Sequence, residues 1–123
     1  TTGTPWFYVN ENYVDVNVAA QEQDEDSVLN FYRKAIALRK TLSCVRYGDY
    51  KEYNKVSSSL YTYSREDDKQ KILVVCSYTE KEVPFKAPKD FDMTSGQLIL
   101  QNYETADSTV FRPYEVRVYL WEK

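Results

Sequence analysis

The chain contains no histidine and only two cysteines, Cys44 and Cys76, in 123 residues. Without histidine a Cys/His dyad cannot form, and two cysteines far apart in sequence lack the CxxC spacing of a thiolate metal site. Two free thiols in a reducing compartment are the expectation. Long apolar runs are missing too. The longest, Ile72 to Cys76, falls far short of the roughly 20 residues that span a bilayer. No positively charged segment followed by an apolar one opens the chain, so neither a targeting signal nor a membrane partner is expected. Net charge is −3, and no Lys/Arg cluster is interleaved with aromatics, which sets nucleic acid aside as a partner. Nothing points to a cofactor or a bound metal.

What is present is an ordinary globular composition, 42% hydrophobic and 28% charged, which argues against disorder. A chain of this length fits one domain able to bury roughly 65% of its unfolded surface. Three textures follow one another. Thr1 to Gln23 is irregular; Gly3 and Pro5 exclude a helix at its start, and the segment reads as a long ordered loop. Asp24 to Leu42 is a helix with Ser27 as N-cap. Its acidic Asp24, Glu25 and Asp26 lie at the positive end of the dipole, and Arg33, Lys34, Arg39 and Lys40 lie toward the negative end. Val28, Phe31, Ala35, Leu38 and Leu42 form its apolar stripe, widened by Tyr32 and Ile36. The acidic triplet lacks the glycine and spaced oxygen ligands of a calcium loop.

From Cys44 onward the pattern is all strand. The candidates are Val45 to Tyr53, Leu60 to Arg65, Lys71 to Tyr78, Lys81 to Ala87, Gly96 to Asn102, and Thr109 to Glu122 broken near Pro113. Short polar connections and alternation such as Leu60-Tyr61-Thr62-Tyr63-Ser64 predict antiparallel pairing, and the continuously apolar Ile72 to Cys76 predicts a central strand. The expected fold is therefore mainly β, an antiparallel two-sheet sandwich preceded by a loop and one helix. Residues 1–43 and 44–123 are its two parts.

Several segments carry more specific information. Gly3-Thr4-Pro5-Trp6, Val9-Asn10-Glu11-Asn12-Tyr13, Asp26 to Lys34 and Leu38-Arg39-Lys40 occur in that order. They are followed by Tyr47-Gly48-Asp49-Tyr50, Leu100-Gln101-Asn102-Tyr103 and Arg112-Pro113-Tyr114-Glu115. Together they resemble the C-terminal region of glycoside hydrolase family 13 α-glucosidases, in the oligo-1,6-glucosidase and glucan 1,6-α-glucosidase (dextran glucosidase) branch that includes trehalose-6-phosphate hydrolase. Glu11 departs from that branch, which has proline there.

The resemblance implies that residues 1–43 are the last loop and helix of a (β/α)8 barrel and that residues 44–123 are the C-terminal β-sandwich. It further implies a cytoplasmic, retaining parent acting on α-1,6-linked glucosides such as isomalto-oligosaccharides and dextran ends. The parent's N-terminal barrel is then the missing partner. The family's catalytic aspartate, glutamate and second aspartate belong to upstream barrel strands, so no catalytic residue is expected in this chain, and the chain by itself is expected to be inactive. The same likeness leaves open a trehalose-6-phosphate hydrolase parent.

Aromatic residues leave alternatives. Trp6, Phe7 and Tyr8 can stack on sugars or pack the loop against neighbouring structure. Asn10 and Asn12 can line an active-site mouth or bond to loop backbone. Tyr47, Tyr50, Tyr53, Tyr61, Tyr63 and Tyr78 fit cross-strand pairs, or the exposed face of a carbohydrate-binding module. Asp67 and Asp68 read as a solvated turn. An uncovered helix stripe and the Trp6 to Tyr8 loop would favour self-association.

Overall fold

The computed structural model describes residues 2–104 and 109–123; Thr1, where the expected loop begins, lies outside them. The backbone divides into two compact units, Thr1–Lys34 and Ala35–Lys123, with the division inside a helix.

The first unit is less irregular than its glycine and prolines predict. A 3-10 turn, Glu11–Val14, and a short helix α1, Val18–Gln23, interrupt the loop. The reason is local: the Asn17 side chain accepts a hydrogen bond from the Ala20 amide at 2.9 Å and donates to the Tyr13 carbonyl at 3.1 Å, capping α1 and anchoring the turn before it. Helix α2, Val28–Thr41, follows. Ser27 is its cap, accepting from the Asn30 amide at 3.3 Å while donating to the Gln21 carbonyl at 2.7 Å. Asn30 donates in turn to the carbonyls of Gln21 and Asp24, and Arg33 pairs with Glu22 at 2.8 Å. Polar bonds, not a core, hold this unit: none of its described hydrophobic side chains is buried.

In the second unit, the strand expected from Val45 gives way to a one-turn helix α3, Ser43–Tyr47. Leu42 is extended and ends α2, and the Gly48 amide closes α3 by donating to the Cys44 carbonyl at 3.0 Å. A Cβ on Gly48 would lie 2.6 Å from both the Cys44 and Glu66 carbonyl oxygens, so only glycine fits where the chain turns from α3 into the sheet. The strands are β1 Asp49–Tyr53, β2 Leu60–Glu66, β3 Gln70–Ser77, β4 Val83–Pro84, β5 Gln97–Gln101, β6 Val110–Phe111 and β7 Val116–Glu122. The stretch expected over Lys81 to Ala87 pairs only at Val83–Pro84; proline lacks a ladder donor, and Pro88 follows closely. The last expected strand breaks around Pro113, as its sequence indicates.

One sheet has the antiparallel order β1-β2-β3-β7-β5, and β4 pairs with β6 in a second. The fold is thus mainly β with two antiparallel sheets. Strand β3 is central, and its period-2 alternation splits the core in two. Leu73 and Val75, with Tyr119 and Trp121 of β7, face Phe85, Phe91 and Phe111. Ile72 and Val74, with Val118 and Leu120, face Leu38 and Leu42 of the helical segment and Cys44 of α3. Both faces are covered, which is why Ile72 to Cys76 is apolar without alternation.

A clasp of polar groups shapes the corner before β7. The Asn102 amide donates to the Tyr114 carbonyl at 3.0 Å and accepts from the Val116 amide at 2.8 Å. The Tyr103 hydroxyl donates to the Pro113 carbonyl at 2.8 Å, and the Arg112 guanidinium lies 4.0 Å over the Tyr103 ring. Tyr114 takes φ 54°, a left-handed conformation unusual outside glycine and asparagine. Leu100-Gln101-Asn102-Tyr103 and Arg112-Pro113-Tyr114-Glu115 are therefore two halves of one corner.

Candidate functional site

Alternation along β1 and β2 sends Tyr50, Tyr61 and Tyr63 to one face of the larger sheet, where Tyr78, just past β3, joins them. Their rings form a ladder: Tyr50 to Tyr63 at 5.6 Å, Tyr63 to Tyr61 at 5.4 Å and Tyr61 to Tyr78 at 6.4 Å between centroids. The Tyr50 and Tyr61 hydroxyls share a 2.8 Å hydrogen bond, which with the nearby Glu52 carboxylate pushes the Tyr50 phenol above its ordinary pKa. Burial pushes Tyr63 up as well, and it lifts the Cys76 thiol beside it on this face to about 11. Cys44 and Cys76 are both free. The other two tyrosines lie elsewhere. Tyr53 is on the opposite face, edge-on to Phe91 at 5.9 Å, and Tyr47 sits in α3 under the Arg46 guanidinium at 5.0 Å.

Beside the ladder, at the β1–β2 connection, lies a cavity of about 300 Å³ lined by Glu52, Asn54, Ser57, Ser58, Tyr61 and Tyr78, with Lys55 and Leu60 also on its wall. Sequence reasoning found its tyrosines but not its polar half. The signal was present in Asn54 and the serine run, which read only as a turn; Asn54 takes φ 53°, and its carbonyl accepts from the Ser57 amide at 2.8 Å.

The remaining candidates separate. Trp6, Phe7 and Tyr8 do not pack the loop within its own unit: they are 90%, 70% and 76% exposed. Trp6 and Phe7 pair with each other at 5.4 Å, and the Tyr8 hydroxyl donates to Glu11. Asn17, rather than the side chains of Asn10 and Asn12, bonds the loop backbone. Asp67 is more than a solvated turn residue. It accepts from the Lys69 and Gln70 amides at 2.9 and 2.8 Å and from the Ser43 hydroxyl, which foremost holds its carboxyl below the ordinary range.

The buried titratable cluster is Glu115 with Arg117 and Arg112. Arg117 Nε donates to Glu115 Oε1 at 2.8 Å, Arg112 adds Nη2 at 3.0 Å and its own amide at 2.8 Å, and Arg117 Nη2 reaches the Val110 carbonyl at 2.7 Å. Burial pushes the Glu115 carboxyl up, but bonds from both guanidiniums override it and hold the group at about 2. A carboxylate so firmly ionised makes no general acid at neutral pH. Among the described residues, no three His, Cys, Asp or Glu side chains converge to hold a metal ion, and no helix is long and apolar enough to cross a membrane.

The family model for the α-amylase catalytic domain matches residues 1–48. Oligo-1,6-glucosidase of Heyndrickxia coagulans is 40% identical over 124 residues, which take in 100% of this chain and 22% of that relative. The chain belongs to the α-amylase family. It matches the C-terminal part of its α-amylase-family relatives and so spans about a fifth of their length. Among solved structures, trehalose-6-phosphate hydrolase of Bacillus licheniformis superposes with a TM-score of 0.88 at 30% identity, over 100% of this chain and 23% of that one. Isomaltulose synthase of Klebsiella gives 0.87 at 32% identity, over 98% and 22%. The α-amylase catalytic-domain match stops where α3 hands over to β1 through Gly48.

Proposed function

We propose that this chain is the C-terminal part of an α-glucosidase acting on α-1,6-linked glucosides, isomalto-oligosaccharides and dextran ends among them, and that its role is structural. Residues 1–43 are the last loop and helix of the parent's (β/α)8 barrel. Residues 44–123 are the domain that covers that helix, and the chain supplies no catalytic carboxylate. The observation that carries this reading is the burial of Leu38, Leu42 and Cys44 against Ile72, Val74, Val118 and Leu120: the larger sheet gives up one face to the end of a helix. The 40% identity to an oligo-1,6-glucosidase supports the choice of linkage. The parent's barrel binds the oligosaccharide, and the two free thiols fit a reducing, cytoplasmic setting. A trehalose-6-phosphate hydrolase is the second reading, favoured by the superposition on that enzyme.

In the absence of the barrel, the exposed Trp6 to Tyr8 loop and the Val28 and Tyr32 face of α2 are surfaces for self-association. The deciding experiment mixes this chain with the part of the Heyndrickxia coagulans enzyme that precedes the matched stretch. Neither piece alone should release nitrophenol from p-nitrophenyl α-glucoside, and the mixture should. Hydrolysis by this chain alone, lost on replacing one of its carboxylates, would overturn the reading.

A further inference from the structure

We propose that the cavity at the β1–β2 connection is a binding site for a neutral pyranose sugar. A pyranose presents an apolar face of C–H groups and a rim of hydroxyls that both donate and accept. Its site therefore needs an aromatic surface next to mixed polar groups. Tyr61 and Tyr78 supply the surface, their rings 6.4 Å apart and inclined at 57°. The polar groups meet the rim in both senses. Glu52 offers carboxylate oxygens. Asn54, also on the wall, donates its amide nitrogen to Thr62 Oγ1 at 3.4 Å, and an amide oxygen accepts. Ser57 Oγ already accepts from the Ser59 and Leu60 amides at 3.2 and 3.0 Å, so its hydroxyl hydrogen is what it can give outward.

Two features make this a built site rather than a dent. The stacking surface is braced from behind: the Tyr61 hydroxyl is tied to Tyr50, and its ring rests against Tyr63, which packs on the core under the sheet. The turn that carries the serines is fixed by the left-handed Asn54 and its bond from Ser57. Charge selects a neutral ligand. The wall carries one cation, Lys55, and one anion, Glu52, whereas a sugar phosphate or another anion would need paired cations without a carboxylate beside them.

The site calls for no catalysis, so its test is independent of the proposed enzymatic role. The full chain is titrated with isomaltose, maltose and trehalose 6-phosphate while the tyrosine resonances are followed by NMR. Saturable shifts confined to Tyr61, Tyr78 and the Asn54–Ser58 turn are expected with the neutral disaccharides. Tyr78→Ala, a change at an exposed ring, should weaken binding about tenfold, as loss of one stacking surface implies, and Tyr78→Trp should retain it. Absence of saturation, equal binding by Tyr78→Ala, or preference for the phosphorylated sugar would each overturn the proposal.

Discussion

Replacing Glu115 by glutamine should remove an acid-sensitive component of stability, and its size follows from the geometry. Glu115 and Arg117 are both fully buried on the inner side of the corner, and the carboxyl is held at about 2 against a glutamate's ordinary 4.5. A folded pKa below the unfolded one means that the unfolded chain binds the proton first. The contribution is therefore complete above the unfolded pKa and is lost as pH falls toward the folded one. At about 1.4 kcal/mol per unit the difference is on the order of 3 kcal/mol at neutral pH, of which about 2 kcal/mol is gone by pH 3.

Glu115→Gln keeps the shape but removes the Glu115 carboxylate charge from the Arg117 guanidinium, which lies 4.1 Å over the Phe111 ring. At pH 7 the variant should be several kcal/mol less stable, a large share of the roughly 5–15 kcal/mol a domain has. Urea melts at intervals from pH 7 to pH 3 give the test. Asp67, Asp90 and Asp92 also have lowered pKa values and contribute to the acid slope in both proteins, so the difference between the two curves is what reports Glu115. Parallel curves, offset but equally steep, would show that the carboxyl is not held ionised by the two arginines.

Strand β3 offers the next test: Val74 and Val75 face opposite cores, so Val74→Asp and Val75→Asp should each cost several kcal/mol by burying an unpaired carboxylate, with urea midpoints far below the parent's. In the turn that follows β2, Asp68→Ala should leave the midpoint unchanged, whereas Asp67→Ala should lower it, because only Asp67 ties the turn and Ser43. Gly48→Ala should destabilise by about 1–3 kcal/mol, since the new methyl meets two backbone carbonyls that cannot rotate away; an unchanged thermal midpoint would mean that α3 and β1 shift apart freely.

The central strand, the N-cap at Ser27 and the break at Pro113 were legible because each depends on a short-range rule: apolar continuity, a hydroxyl three residues ahead of an amide, a residue without a donor. The misses have causes of other kinds. Helix α1 rests on Asn17, which sits among valines and gives no periodic signal, and α3 follows because Leu42, extended and buried, ends α2 at Thr41. The α1 cap is local but leaves no periodic trace, whereas α3 depends on the tertiary partner that takes up Leu42. The polar half of the cavity read only as a turn, because Glu52 of β1 and Ser57 of the β1–β2 connection meet Tyr78, just past β3, only through the β1-β2-β3 register.

Asn102, Tyr103, Arg112 and Glu115 show how far sequence can reach without a structure and where it stops. As isolated tetrapeptides Leu100–Tyr103 and Arg112–Glu115 carry only a resemblance. Their hydrogen bonds show why they occur together: the Asn102 amide replaces a strand partner for Tyr114 and Val116, while Tyr103 supports the arginine that neutralises Glu115. Loss of one member therefore strands a buried charge or an unmet backbone group in the other segment. Asn102 bonds to Tyr114 and Val116, the two residues that flank Glu115, so the two side chains fix one short segment by separate bonds. Alanine at Asn102 combined with glutamine at Glu115 should accordingly destabilise by less than the two single changes added together, and strict additivity in a double-mutant cycle of urea midpoints would show the corner to be two independent contacts.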